Sequence, residues 1–285
     1  MPGADAPAGA KTNLARVLAD PTFEMIPLKN VREQAAALPR GATVSVTASP
    51  GKGIEATVEL AVELEATGLR AIPHLSARMI RNSAHLAELL QRMTDTGIDR
   101  AFVVGGDADE PGDFLDGLSL IRAMHDLGRA PSELGVPCYP EGHPDIPTPA
   151  LEQALRDKAP FVQYMTTQLC FDPKAIAAFI AARRAEGNEL GVKLGIPGVA
   201  EIPKLLSISA RIGVKNATKF VAKNAGLVGA ILKSGGMYKP NALMKGIAPI
   251  IEDPTTKVVG LHVYTFNNVP ATDAWRQEAL SAANR

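Results

Sequence analysis

The chain has 285 residues, 46% of them hydrophobic and 21% charged, an ordinary globular balance with length enough for a large core. Its formal charge of zero argues against a dedicated nucleic-acid binder. No apolar run approaches the roughly 18 residues of a membrane span, Ala225–Leu232 being far too short.

From the N-terminus, Met1 to Lys11 is rich in Ala, Gly and Pro, carries Asp5 and lacks an apolar centre. It reads as a mobile tail rather than a secretory signal. With the tail taken to residue 15, residues 16–285 form one domain. Eight short segments rich in β-branched and aromatic residues then follow: Thr22–Ile26, Ala42–Ala48, Arg70–Leu75, Arg100–Gly105, Leu134–Tyr139, Phe161–Thr167, Leu190–Ile196 and Val258–Phe266. Flanking Gly and Pro support a strand in each.

Helical periods separate most of them. Ile54–Thr67 places Val58, Ala61, Val62 and Glu65 at helical spacing and stops at Gly68. After Asn82, Leu86, Leu89, Leu90 and Met93 recur at three- and four-residue steps, and Gly97 marks the end. Asp172-Pro173 opens a further helix that ends before Gly187. Thr272 is a candidate N-cap for the last one. Alternating strands and helices predict an α/β fold, a single (β/α)8 TIM barrel, with an extended helical segment between strands seven and eight. Its active site is then expected where the strands end.

The segment Ile202–Ile251 has no Asp or Glu and carries Lys204, Arg211, Lys215, Lys219, Lys223, Lys233, Lys239 and Lys245. Lys215, Lys219 and Lys223 share one helix face. Two readings stand: a solvated lysine face, or an electropositive rim that attracts an anionic ligand.

Most of the strand segments run to a polar residue suited to chemistry. Glu24, between Phe23 and Met25, is a candidate general acid or a paired structural carboxylate. Asp107 follows Gly105 and Gly106, which let backbone approach a ligand closely; the alternative is a turn aspartate. The run Tyr139-Pro140-Glu141-Gly142-His143-Pro144-Asp145 is dense in donors and acceptors and stiffened by proline. No second cluster supports a metal there, and no metal is expected. His74 is either a ligand contact or a core histidine, while His85, His125 and His262 read as structural. Gln168 offers an uncharged amide. Lys193, inside strand seven, is a Schiff-base nucleophile, a lysine pointing outward between helices, or a member of an internal ion pair. Cys138 and Cys170 fit neither zinc spacing nor CxxC, which points to a reducing cytoplasm. Neither GxGxxG, GxxxxGK[ST] nor GxSxG occurs.

Taken in order, Phe23-Glu24, Val44–Ala48, Pro73–Leu75, Gly105–Asp107, Tyr139–Asp145, Thr167–Asp172, Gly195–Gly198 and Tyr264–Asn267 resemble the methylenetetrahydrofolate reductase family. The resemblance spans about Thr22 to Asn267, and YPEGHP and TQxxFD are its most specific pieces. It implies a barrel that holds FAD at its strand ends, takes hydride from NADH or NADPH, and reduces methylenetetrahydrofolate to methyltetrahydrofolate. By the motif, Glu24 matches the general acid and Asp107 a carboxylate near flavin and folate. Gln168 matches the pterin-reading amide, with Phe171 and Tyr264 as further substrate contacts. Thr47, His74, Gly106, Asp107, Tyr139, His143 and Arg156 match FAD contacts. The family also suggests a homo-oligomer. A folate and two phosphate-bearing cofactors would give an electropositive rim a use.

The chain departs from the family pattern at four places. Val104-Gly105-Gly106-Asp107 replaces a Leu-Arg-Gly-Asp run, Asp157 stands at a usual lysine, and Asn268 at a usual arginine. Gln168-Leu169-Cys170-Phe171-Asp172 replaces a more aromatic run. Fewer cations beside the flavin leave a flavin-independent reductase, with direct hydride transfer from NAD(P)H to folate, as the alternative. From other classes, a non-catalytic folate- or flavin-binding barrel and a Lys193 lyase remain.

Overall fold

The computed structural model describes residues 12–49, 51–211 and 236–285. The tail Met1–Lys11, Pro50, and Lys215, Lys219, Lys223 and Lys233 of the basic segment lie outside the described residues.

Eight parallel strands form the core: β1 (Thr22–Met25), β2 (Thr43–Val46), β3 (Arg70–Ser76), β4 (Arg100–Val104), β5 (Glu133–Cys138), β6 (Tyr164–Thr167), β7 (Gly191–Pro197) and β10 (Val258–Tyr264). They close in the order β1-β10-β7-β6-β5-β4-β3-β2, the predicted (β/α)8 barrel. Both faces of such strands are buried, which is why they read as nearly unbroken runs of β-branched residues.

Helices α1 (Asn13–Ala19), α2 (Val31–Ala36), α3 (Ile54–Ala66), α4 (Ser83–Asp95), α5 (Gly117–Asp126), α6 (Thr148–Lys158) and α7 (Pro173–Ala185) follow in chain order. Beyond β7 come β8 (Ala200–Glu201), α8 (Ile202–Arg211), β9 (Met237–Tyr238) and α9 (Asn241–Glu252), and after β10 comes α10 (Val269–Ala283). β8 and β9 pair antiparallel beside the barrel. Among the described residues no helix is long and apolar enough to cross a membrane.

Local chemistry sets the boundaries. Asn82 caps α4 by accepting from His85 N, its four apolar-face residues Leu86, Leu89, Leu90 and Met93 are buried, and Gly97 at φ +78° lets the chain turn away. Asp172 caps α7 at Lys174 N, with Pro173 in the first turn. Three expectations are corrected. Thr272 is not an N-cap: α10 starts at Val269, and the buried Thr272 hydroxyl accepts from Val199 N at 3.1 Å. The sixth strand starts at Tyr164, because Ala159–Phe161 forms a 3₁₀ turn around Pro160. Helix α1 begins at Asn13, within the stretch taken as tail; Glu252 accepts from its first two amides at 3.2 and 2.8 Å, a carboxylate at the positive end of a helix.

The seam between β1 and β10 closes the cylinder. Its register sets Thr22 against His262, Phe23 against Val263 and Glu24 against Tyr264. Beyond the strands, side chains continue the ladder. Thr265 Oγ1 donates to Glu24 O at 2.6 Å, while Asn267 accepts from Ile26 N at 2.9 Å and donates to Ile26 O at 2.8 Å. Asn267 adopts φ +54°, a left-handed conformation that asparagine tolerates better than most residues.

Gly135 admits the Tyr164 ring into the barrel: a Cβ there would lie 2.2 Å from the ring's Cζ. Gly135→Ala is therefore expected to destabilise the protein by about 1–3 kcal/mol through overpacking, read as a lower urea midpoint. An unchanged midpoint would show that Tyr164 is not locked against β5.

Candidate functional site

All eight barrel strands run the same way, so their C-terminal ends share one rim. Glu24 is the penultimate residue of β1. Thr47, Tyr139 and Gln168 each stand one residue past β2, β5 and β6, Asp107 stands three past β4, and Tyr264 ends β10. Parallel closure thus brings these residues to the same end of the cylinder.

Below the rim the barrel interior is polar. Glu24 Oε2 lies 3.1 Å from His262 Nε2, the two residues being 238 positions apart in the chain. The Glu24 side chain is 15% exposed and that of His262 is buried, so the carboxyl stands at the boundary between core and mouth. Opposite, His74 Nε2 lies 2.6 Å from Ser45 Oγ. The His74 and His262 rings are 6.4 Å apart, and Phe102 packs against both, at 4.8 and 6.3 Å. Tyr264 meets His262 edge-on at 5.0 Å and donates its hydroxyl to Thr167 O at 3.1 Å. Gly195 makes that approach possible, since a Cβ there would lie 2.8 Å from the Tyr264 ring and 2.0 Å from Thr167 O. Burial, with the Glu24 carboxylate adding to it, holds the Tyr264 phenol well above its usual range; Tyr264 is a hydrogen-bond donor at neutral pH.

Other predicted residues take distinct places. Gln168 Oε1 accepts from Leu169 N at 2.8 Å, which orients its amide at the rim. Asp107 is exposed. Gly106 turns at φ +87° against Ser76, whose buried hydroxyl has no hydrogen-bond partner among the described residues. The Tyr139 and His143 rings meet edge-to-face at 5.4 Å, and His143 Nδ1 accepts from Asp145 N at 3.2 Å. Burial pushes the Tyr139 phenol up to about 12. Phe171 is fully buried in an apolar cluster with Leu169, Leu205, Tyr238 and Phe266. A cavity of about 400 Å³ opens beside the Tyr139–Gly142 turn, between α6 and α7, but neither Glu24 nor Gln168 lines it. Among the described residues no three His, Cys, Asp or Glu side chains gather as a metal site.

Two residues stand apart from the rim. Arg156 lies in the last turn of α6, exposed, 3.4 Å from Glu186 and 3.1 Å from Gln153. Glu186 caps the C-terminus of α7, the end of that helix remote from the strand C-termini. Lys193 faces the opposite mouth. Its ammonium pairs with Glu133 at 3.3 Å and sits 3.8 Å over the Tyr164 ring. It lines a small cavity with Asp20, Thr22, Thr43 and Arg70, at the strand beginnings. This is an internally paired lysine at the barrel floor, a barrel's length from Glu24.

Sequence reasoning missed three contributors. His262 reads as structural in the sequence yet contacts Glu24. Ser45 binds His74. Arg78, just after β3, donates to Ala108 O at 2.9 Å and brings a cation to the loop that carries Asp107. An exposed signal existed only for His262, two residues ahead of the YTFN run.

Fold and rim together give a (β/α)8 barrel with a carboxyl, an amide and aromatic rings at the C-terminal ends of its strands. The sequence model of methylenetetrahydrofolate reductase matches residues 25–275, and the chain belongs to that family. Among solved structures, a Clostridium thermocellum protein that binds two copies of 5-methyl-5,6,7,8-tetrahydrofolic acid shares the fold. It has 12% identity and a TM-score of 0.59 over 94% of this chain and 99% of that one. A chitinase of Flavobacterium johnsoniae (8% identity, TM-score 0.47, 96% and 95% covered) and the sialic acid aldolase of Ruminococcus gnavus (13%, 0.43, 95% and 72%) are weaker likenesses and carry no functional weight.

Burial pushes the His74 ring down to about 4, with Glu24 opposing and His262 reinforcing the shift. A neutral folded His74 gives stability that is whole above the unfolded value near pH 6.5 and drains as pH falls toward 4, on the order of 3 kcal/mol in total. Urea unfolding at pH 7 and pH 5 should show a larger loss in the wild type than in His74→Gln. Equal losses would place the ring in contact with water.

Proposed function

We propose that this protein reduces methylenetetrahydrofolate to methyltetrahydrofolate, with NADH or NADPH as the source of hydride. The observation that carries the proposal is Glu24: a carboxyl at the barrel mouth, backed by a histidine, in a chain of the reductase family. The folate bound by the C. thermocellum protein supports the substrate class.

The chemistry follows from the charges involved. The methylene carbon bridges two folate nitrogens and resists hydride until one C–N bond opens. Glu24 protonates one bridge nitrogen, the bond to the methylene carbon breaks, and a cationic iminium remains as hydride acceptor. The Asp107 carboxylate at the same rim stabilises that cation. Gln168 presents an amide to the pterin, and Tyr264 an aromatic edge, its hydroxyl being held by Thr167 O. Phe171, being enclosed, acts by shaping the wall beneath Gln168.

FAD is the cofactor proposed from the family, as a relay of hydride between NAD(P)H and folate. The rim fits the ring end of a flavin: Thr47, the Gly106 turn, the orphaned Ser76 hydroxyl and the Tyr139–His143 platform are the groups that would hold it. The diphosphate end fits less well, because Arg156 is engaged by Glu186 away from the rim and Gly105 takes the place of a family arginine. That observation favours a second reading, direct hydride transfer from NAD(P)H to the iminium. His74, a flavin contact by the family motif, is buried below the rim with its Nε2 against Ser45. A homo-oligomer and a cytoplasmic home are proposed on the family resemblance and the cysteine usage.

Glu24→Gln is expected to keep its fold and lose folate reduction by about two to four orders of magnitude, measured as methyltetrahydrofolate formed. Near-normal turnover would overturn the acid assignment. The visible spectrum of the purified protein separates the cofactor readings. Flavin bands near stoichiometry support FAD, whereas a colourless sample that turns over without added FAD establishes direct transfer.

A further inference from the structure

His262 is the one partner of Glu24's carboxyl that the hydrogen-bond geometry brings within reach among the described residues. It sits on β10, across the barrel seam from β1. Phe102, Tyr264 and His74 surround its ring at centroid distances of 6.3, 5.0 and 6.4 Å. The residues bear no relation in sequence; the barrel closes to make them neighbours.

We propose that His262 is a positioning residue and proton reservoir for Glu24, returning a proton to the carboxylate after it has protonated the folate. The inference rests on the reading of Glu24 as the acid. In the first step Glu24 gives its proton to the bridge nitrogen, the carbon–nitrogen bond breaks with its electron pair on that nitrogen, and iminium and carboxylate remain. A bare carboxylate beside the new N–H is a base that would take the proton back and reclose the bridge. Transfer of the Nε2 proton of a His262 imidazolium to Glu24 removes that base. Hydride from NAD(P)H then completes the methyl group. After product leaves, one solvent proton enters through Glu24 and recharges His262, so each turnover consumes one NAD(P)H and one proton.

The surroundings suit this role. Among the described residues, the titratable groups whose rings face the pair are His74 from β3 and Tyr264 from β10, and β4 presents Phe102. Burial keeps His74 neutral, and Ser45 occupies its Nε2, so it does not compete for the proton. The Tyr264 phenol stays protonated. Lys193, deeper in the barrel, is held by Glu133.

The test compares His262→Gln and His262→Phe with wild type and Glu24→Gln in folate reduction. The reservoir predicts that kcat falls about tenfold or more in both His262 variants, while the folate KM changes less than about threefold. It also predicts that their kcat declines with rising pH sooner than in the wild type and that the solvent deuterium effect on kcat grows. A His262→Gln enzyme with wild-type kcat, pH profile and isotope effect overturns the inference, and so does a change confined to KM. If Glu24→Gln is inactive while His262→Gln is normal, only the reservoir fails. If Glu24→Gln itself turns over, the acid reading fails. Should both His262 variants unfold, ¹⁵N-histidine spectra of the wild type decide: the inference requires protons on both ring nitrogens of His262 in the free protein, and a neutral ring contradicts it.

Discussion

The meeting of β1 and β10 is the constraint on which the site depends. Three backbone register pairs and the side-chain bonds of Thr265 and Asn267 lock the first strand to the last. Loop closure over more than two hundred residues costs entropy that local contacts do not offset, so the seam must be held by many cooperating bonds. With it closed, Glu24 and His262 become partners. A slip of one residue would turn Glu24 out of the barrel altogether.

The barrel interior shows how a polar centre is kept without loss of the fold. Polar side chains in a core are tolerated when they find hydrogen-bond partners, and Glu24, His262, His74 and Ser45 pair with one another two by two. Phe102 separates the pairs from the Tyr164 layer below, and Lys193 and Glu133 form their own pair at the floor. Gly135 and Gly195 supply the space for the two tyrosine rings. The polar layer therefore stands at the mouth, where chemistry needs it, and an ion-paired floor seals the other end.

Much of this was legible in the sequence. Parallel strands buried on both faces announce themselves as short β-branched runs, and glycines mark the ends of α3, α4 and α7. Residues that follow strands are rim residues by topology alone, so Thr47, Asp107, Tyr139 and Gln168 could be placed without coordinates. What the sequence does not carry is a partner far away in the chain. Nothing near His262 in sequence names Glu24 as its neighbour. Thr272 looked like a helix cap because a threonine ahead of a helical run usually is one, but its hydroxyl serves Val199 across the barrel wall. Arg156 sits in the last turn of α6 beside Glu186, at the end of the helices remote from the strand C-termini. Lys193 is compatible in sequence with a nucleophile, an outward-pointing lysine or an ion pair, and only its neighbours Glu133 and Tyr164 distinguish them.

The most direct test of the account is a crystal structure of the protein with methyltetrahydrofolate bound. The account predicts the pterin at the C-terminal mouth, its edge hydrogen-bonded to Gln168, with the nitrogen that Glu24 would protonate within about 3.2 Å of the carboxyl and His262 still behind it. A folate seated in the cavity between α6 and α7, or at the mouth but out of reach of Glu24, would contradict it.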